Sequence, residues 1–274
     1  MKETFILQEK ADMQFYIIPA FTATGLVSHG FTTRHGGVSS SPYDTLNLAF
    51  HVGDQQADVV ENRKRVAAAL DFAPEKLVTA EQVHGDRIMS VTAEHAGRGA
   101  ADYATAITAT DALITNVPGI PLATFYADCV PVMILDPVQR AIGLAHAGWK
   151  GTVQKIAQKT VCRMSEIFGT QPADCLVGIA PSIGPCCYEV DERVYGEFSR
   201  AFTGGDGFLQ PKEMGRWQLD LWAANLDQLL ETGVRQENVV ISRICTNCNR
   251  NQLFSYRGDS GQTGRMGAFM MLKQ

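Results

Sequence analysis

Apolar residues recur along the chain in short runs, some at the strand period and some at the helix period. Met13 to Phe21 is apolar and β-prone and predicts a strand. Leu77 to Val83 and Arg87 to Val91 predict two strands around a turn at His84-Gly85-Asp86, and Ile120 to Tyr126 predicts another. Asp58 to Leu70 has Val59, Val66 and Leu70 near one face, which predicts a helix capped by Asp58. Thr152 to Phe168 shows the same period through Val153, Ile156, Ala157, Val161, Met164 and Phe168. Asp220 to Thr232 predicts a helix capped by Asp220 and ended by Gly233. Leu176 to Ala180 and Val239 to Ile244 predict strands, and Thr32 to Asn47, rich in Gly, Ser, Thr and Pro, predicts an ordered loop.

The most informative stretch is Val130 to Ala147. Val132-Met133-Ile134-Leu135 and Ala141-Ile142-Gly143-Leu144-Ala145 flank Asp136-Pro137-Val138-Gln139, whose Asp-Pro start is type I turn chemistry. The expectation is a β-hairpin buried on both faces, because both runs are continuously apolar. Mixed helices and strands with an antiparallel hairpin predict an α+β fold of layered mixed β-sheets flanked by helices. No repeat, low-complexity tract or linker divides the chain, so residues 1–274 read as a single domain.

The hairpin carries a chemical consequence. If Asp136 pairs with Gln139, Cys129 falls opposite His146, where Cβ atoms are roughly 4.5–5.5 Å apart. A thiolate and an imidazole at that separation reach one ion. A turn bulge would shift this register by one. His84, also at a strand end, is the third candidate ligand for a catalytic zinc that keeps one position open. The same residues admit two other chemistries: a Cys129 nucleophile with His146 as its base, and a blue-copper set of two His and one Cys. A full multicopper cluster needs more ligands, and the remaining histidines (His29, His35, His51, His95) are scattered.

Composition narrows the class. Of 274 residues, 45% are hydrophobic and 19% charged, which suits a globular chain, and a core of this size needs no covalent staples. A net charge of −5 argues against general binding to nucleic acid or acidic membranes. The apolar run after Met1-Lys2-Glu3-Thr4 is too short for a signal peptide, and no stretch is long enough to span a bilayer. Seven cysteines, an odd count, read as reduced thiols, and the expected location is cytoplasmic. Cys245-Thr246-Asn247-Cys248 has the spacing of half a zinc site without an obvious second pair, and Cys186-Cys187 is vicinal, so both pairs read as buried, inert thiols.

At these positions the chain resembles the YfiH/YlmD-like family, described first as a polyphenol oxidoreductase or laccase domain and later as purine nucleoside phosphorylases. The resemblance rests on Gly30-Phe31-Thr32-Thr33-Arg34-His35-Gly36-Gly37-Val38-Ser39, Leu46-Asn47-Leu48, Gln82-Val83-His84-Gly85, Ala127-Asp128-Cys129-Val130-Pro131 and His146-Ala147-Gly148-Trp149-Lys150-Gly151. It continues through Gly178-Ile179-Ala180-Pro181-Ser182-Ile183-Gly184 and from Phe254-Ser255-Tyr256-Arg257 to Thr263-Gly264-Arg265. The resemblance implies zinc on His84, Cys129 and His146, with copper as the alternative metal. It also implies purine nucleosides and phosphate as partners: phosphorolysis of adenosine, inosine, guanosine and methylthioadenosine, and deamination of adenosine. A cysteine hydrolase or amidase acting on cell-wall precursors is the other role proposed within the family.

Candidate substrate contacts follow from that chemistry. Arg34, Lys150 and Arg265 are cations able to hold phosphate, and Asn47 is a nucleoside contact or a turn residue. Deamination needs a carboxylate to carry protons, for which Asp128 and Glu81 lie near the ligands in sequence. Strand alternation would turn Asp128 away from the metal.

Overall fold

The computed structural model of the chain describes residues 5–10, 12–202 and 205–274. Met1 to Thr4, the start of the N-terminal segment judged too short for a signal peptide, lie outside the described residues. The strands in chain order are β1 (Ile6–Lys10), β2 (Met13–Ile17), β3 (Val27–Thr32), β4 (Ile88–Ser90), β5 (Ala112–Thr115), β6 (Leu122–Tyr126), β7 (Val130–Asp136), β8 (Ala141–Ala147), β9 (Leu176–Ile179), β10 (Glu189–Val190), β11 (Leu209–Lys212), β12 (Arg216–Leu219), β13 (Val239–Ile241) and β14 (Met266–Leu272). The α-helices are α1 (Pro19–Ala23), α2 (Gln56–Leu70), α3 (Trp149–Val153), α4 (Ile156–Phe168), α5 (Glu192–Ala201) and α6 (Leu221–Glu231).

Two large sheets and one small one form the frame. The first, β1-β2-β3-β14-β6, is antiparallel throughout. The second, β13-β9-β7-β8-β5-β4, is mixed, with parallel pairs at its two edges. A small antiparallel sheet, β10-β12-β11, stands beside them. The fold is α+β.

The alternation of β7 explains the layering. Val130, Val132 and Ile134 face a core shared with α4 and α6. Met133 and Leu135 face the opposite way, into a core shared with Phe31, Tyr126, Met266 and Met270 of the first sheet. The outer face of that sheet packs Phe15, Phe125 and Phe269 against Val66, Ala69 and Leu70 of α2. The second sheet is thus buried on both faces, which is why its central hairpin is apolar without interruption.

The hairpin forms with a longer loop than expected. Asp136 pairs with Ala141, not Gln139, and Pro131 lies opposite His146. Oδ1 of Asp136 accepts from the N–H groups of Val138 and Gln139, and Arg140 takes a left-handed φ of 50°, so four residues close the turn. Cys129 is therefore not opposite His146. Because the register moves by an even step, Cys129 and His146 keep the same face and become diagonal neighbours. They share the side that carries Met133, Leu135, Ile142 and Leu144 into the inter-sheet core.

Other boundaries differ for local reasons. Pro19 turns the end of the first expected strand into α1. Gln55, not Asp58, is the N-cap of α2, and Asp58 sits in its first turn. The expected helix from Thr152 is broken at Lys155, which adopts φ 60° between α3 and α4. Leu77 to Val83 makes only isolated bridges, Val78 to Leu122 and Ala80 to Ile107. Asp220 caps α6 as expected, its side chain accepting from the Ala223 N–H.

Candidate functional site

One end of the β7–β8 hairpin opens at the boundary between the two large sheets. His146 is the penultimate residue of β8 and is 3% exposed, and Cys129 precedes β7 directly. His84 comes from the turn before β4 with a left-handed φ of 61°. One ligating atom from each of the three lies within 4.8 Å of the others. Cys129 Sγ is 3.7 Å from Nε2 of His84. The sequence-predicted trio is brought together.

A residue that sequence reasoning missed holds the trio in shape. Asp111, fully buried where the chain enters β5, takes Nδ1 of His146 on Oδ1 at 2.8 Å. The same carboxylate accepts the backbone N–H groups of Val83, His84 and Gly85 at 3.2, 2.9 and 2.8 Å. Three converging N–H donors compensate the left-handed conformation at His84. With Nδ1–H given to Asp111, Nε2 of His146 is the ring nitrogen left to serve a metal once an ion displaces its proton, the arrangement metal-bound histidines use. The backbone bends at Gly148, where a Cβ would meet His84 Cδ2 at 2.9 Å and Cys129 Sγ at 3.0 Å. The glycine leaves room for the two side chains to converge.

The electrostatics suit a thiolate. Burial alone pushes the Cys129 thiol up, but His146 and His84 outweigh it and bring its pKa down to about 6. Burial opposes charge on His146, yet Cys129 and Asp111 raise it to about 9. Two imidazoles and a soft thiolate, oriented by a carboxylate behind them, are a donor set for zinc or copper.

The trio opens into a cavity of about 470 Å³. Its walls include the aromatic rings of Phe125, Trp149, Tyr188 and Tyr256 and the guanidinium groups of Arg257 and Arg265. Gln82 also lines the cavity, its side-chain amide pairing with both the N–H and the C=O of Phe125. Arg265 gives NH1 to the carbonyl oxygens of Thr263 and Gly264 and lies 5.6 Å from the Tyr256 ring centre. Arg257 gives NH1 to Glu189 O and lies over the Tyr188 ring. His51 also lines the cavity, and burial together with Arg265 lowers its pKa to about 4. His51 and Asp111 carried no sequence signal. Tyr188 lies outside the family-like motifs, whereas Tyr256 and Arg257 stand within one, Phe254-Ser255-Tyr256-Arg257.

The other candidates separate by position. Arg265 lines the cavity; Arg34, Asn47 and Lys150 do not. Arg34 spends its guanidinium on Asp44 and on the carbonyl of Arg250, with Phe254 against its face. Asn47, fully buried, binds Asp54 and the backbone of Ala49, and accepts from the N–H of Arg265. Lys150 is exposed beside Trp149. Asp128 lines the cavity, but its oxygens accept from Thr246 Oγ1, Ser255 Oγ and the Arg257 N–H. Glu81 does not line it and accepts from the Ala109 N–H. Neither carboxylate is placed as a mobile proton carrier.

The cysteine pairs depart from expectation. Cys186 and Cys248 are exposed rather than buried. Cys186, Cys187, Cys245 and Cys248 gather into one group, so the half-site at Cys245 and Cys248 does have a second pair.

Residues 28–273 match the family described as multi-copper polyphenol oxidoreductase laccase. The purine nucleoside phosphorylase YlmD of Geobacillus stearothermophilus is 44% identical, with 88% of each chain covered. The purine nucleoside phosphorylase YfiH of Escherichia coli is 35% identical over 95% of this chain and 100% of its own. The crystal structure of YlmD from Geobacillus stearothermophilus superposes with a TM-score of 0.94 at 40% identity, covering 98% of this chain and 100% of that one.

Proposed function

The chain belongs to the laccase-like YlmD/YfiH family, and we propose that it is a zinc-dependent purine nucleoside phosphorylase, with residues 1–274 acting as one domain. The observation that carries this reading is the meeting of the His84, Cys129 and His146 ligand atoms with a cavity of aromatic walls and two arginines. A purine base stacks on flat rings, and a phosphate needs fixed cationic donors. The cavity offers both beside a soft-donor metal site.

When bound, zinc at the trio supplies Lewis-acid polarisation of an oxygen of substrate or solvent. The chain's own groups do the rest. Phe125, Trp149, Tyr188 and Tyr256 hold the base, and Arg265 and Arg257 hold and orient phosphate. A phosphate oxygen attacks the anomeric carbon as the bond to the purine nitrogen breaks. The bonding electrons leave with the purine, which then takes up a proton. Asp111 keeps the His146 Nδ1 proton in place and so preserves the tautomer. Adenosine deamination is proposed at the same site: water adds at C6, and the exocyclic nitrogen leaves as ammonia.

A second reading has its own support. The Cys129 thiol, lowered to about 6 beside His146 raised to about 9, is a thiolate–imidazolium pair fit for a cysteine hydrolase. Metal analysis separates the two, because zinc on the thiolate removes the nucleophile. Copper at the same trio would be seen in the same measurement.

The test is incubation of purified protein with inosine or adenosine and phosphate, following free base, ribose 1-phosphate and ammonia. Release of base that requires both phosphate and zinc is expected. Absence of base release from zinc-loaded protein would defeat the reading. Among the described residues no helix is long and apolar enough to cross a membrane. Nucleosides and phosphate as substrates fit the proposed cytoplasmic location.

A further inference from the structure

We propose that Cys186, Cys187, Cys245 and Cys248 form a second metal site, a structural one that holds a single zinc ion in an all-sulfur shell. The four sulfurs lie within 4.8 Å of one another. Cys248 Sγ is 3.5 Å from Cys186 Sγ and 3.4 Å from Cys187 Sγ. With a Zn–S bond of about 2.3 Å, a tetrahedral shell places its sulfurs about 3.8 Å apart. The two Cys248 spacings fall a few tenths of an ångström short of that value and no pair exceeds 4.8 Å, so small side-chain shifts complete the shell. The same spacings put Cys248 equally near two partners, which suits a shared central ion better than one paired bond.

Packing does not explain the gathering. Two of the four thiols, Cys186 and Cys248, are exposed, so burial of small apolar groups is not what brings them together. The surrounding backbone is arranged as around a metal knuckle. Cys245 and Cys248 have the C-x2-C spacing of zinc sites. Cys245 Sγ accepts backbone N–H groups from Gly184, at 3.3 Å, and from Cys248. Such N–H donors stabilise a thiolate held by a cation.

The position gives the ion a role. The chain from Ser182 to Tyr188 and the chain from Ile244 onward meet through Ser182 N–H to Ile244 O and Thr246 N–H to Ser182 O. Asp128, next to the ligand Cys129, takes the Thr246 hydroxyl on its side chain and the Ile183 N–H on its carbonyl. Ile183 and Tyr188 line the nucleoside cavity, whereas none of the four sulfurs does. An ion here fastens two loops that support the cavity wall without reaching the substrate. On binding, zinc takes four sulfur lone pairs, and the displaced thiol protons pass to solvent.

The test isolates this site from the trio. The full chain carrying His84→Ala and Cys129→Ala is purified reduced and without chelator, and its zinc is measured. The expected result is one zinc per chain, released on titration with a mercurial and lost when Cys245→Ser and Cys248→Ser are added. If that last variant fails to fold, Cys186→Ser alone, at an exposed position, is expected to release zinc to a chelator at least 10-fold faster. Absence of zinc from the His84→Ala Cys129→Ala protein overturns the proposal, as does iron in its place. A mass 2 Da low, showing a disulfide within the group, overturns it too. Failure of the trio to bind metal would leave this result unchanged, so the two readings stand or fall separately.

Discussion

Asp111 ties the two histidines of the trio together although it touches only one of their rings. Its Oδ1 sits 2.8 Å from His146 Nδ1, and the same oxygen takes the backbone N–H of His84 at 2.9 Å. The carboxylate thus sets the tautomer of one candidate ligand and the backbone conformation of the other. Replacing Asp111 by Asn keeps the size but presents an N–H₂ group where two donors already converge. The expected outcome is zinc affinity weaker by roughly 10–100-fold, measured by chelator competition. Asp111→Ala, which leaves buried donors without an acceptor, is expected in addition to lose about 3–5 kcal/mol of stability. Unchanged zinc affinity in Asp111→Asn would remove the positioning role.

Gly148 allows a cleaner perturbation. Its backbone has φ −65° and ψ 171°, which any residue adopts, so alanine introduces no backbone strain. The added methyl instead runs into His84 and Cys129. Gly148→Ala should therefore lower kcat/KM by about 100-fold through ligand displacement while Tm stays within about 4 °C of the parent. A large loss of Tm would place the defect in folding, not in the site.

The geometry distinguishes the arginines. Arg265 lines the cavity, and Arg265→Gln should raise the KM for phosphate by about 10–100-fold, the worth of one charged hydrogen bond. Arg34 joins the loop at Asp44 to the backbone at Arg250, so Arg34→Met should lower stability by about 1–3 kcal/mol and leave the phosphate KM alone. Steady-state kinetics beside urea unfolding of both variants checks the contrast. The reverse pattern would move the phosphate site to Arg34.

Much of the candidate site was legible because two of its three candidate ligands, Cys129 and His146, stand at the ends of one hairpin whose apolar runs announce themselves, and His84 stands at a turn. The pairing was not, since the Asp136 side chain closes the loop and Arg140 extends it, and neither effect shows in a hydrophobic pattern. Cys129 and His146 stay on one face despite the error because an even shift preserves it. Asp111 stayed hidden for a different reason: it is 35 residues from His146, and nothing in Thr110-Asp111-Ala112 marks a buried carboxylate. β14 pairs with β3 and β6, both far away in sequence, and Lys155 breaks a helix whose period runs on past it. Chemistry borne by local order could be read; contacts between distant segments could not.

His29 should make stability depend on pH away from the site. Its ring is 5% exposed and packs on Phe21, and Nε2 accepts the Ile18 N–H at 2.9 Å. Burial, with a smaller contribution from Lys273, lowers its pKa from 6.5 to about 4. The unfolded chain keeps the ordinary value, so between those two pH values it binds a proton that the folded chain refuses. The contribution is complete above pH 6.5 and lost progressively as pH falls towards 4, amounting to about 3 kcal/mol at the lower end. His29→Gln retains an acceptor for Ile18 but does not titrate. Urea unfolding from pH 7 to pH 4 should show the parent losing about 3 kcal/mol more than the glutamine variant. Parallel losses in the two proteins would mean that His29 is protonated, or rehydrated, without opening the strand around it.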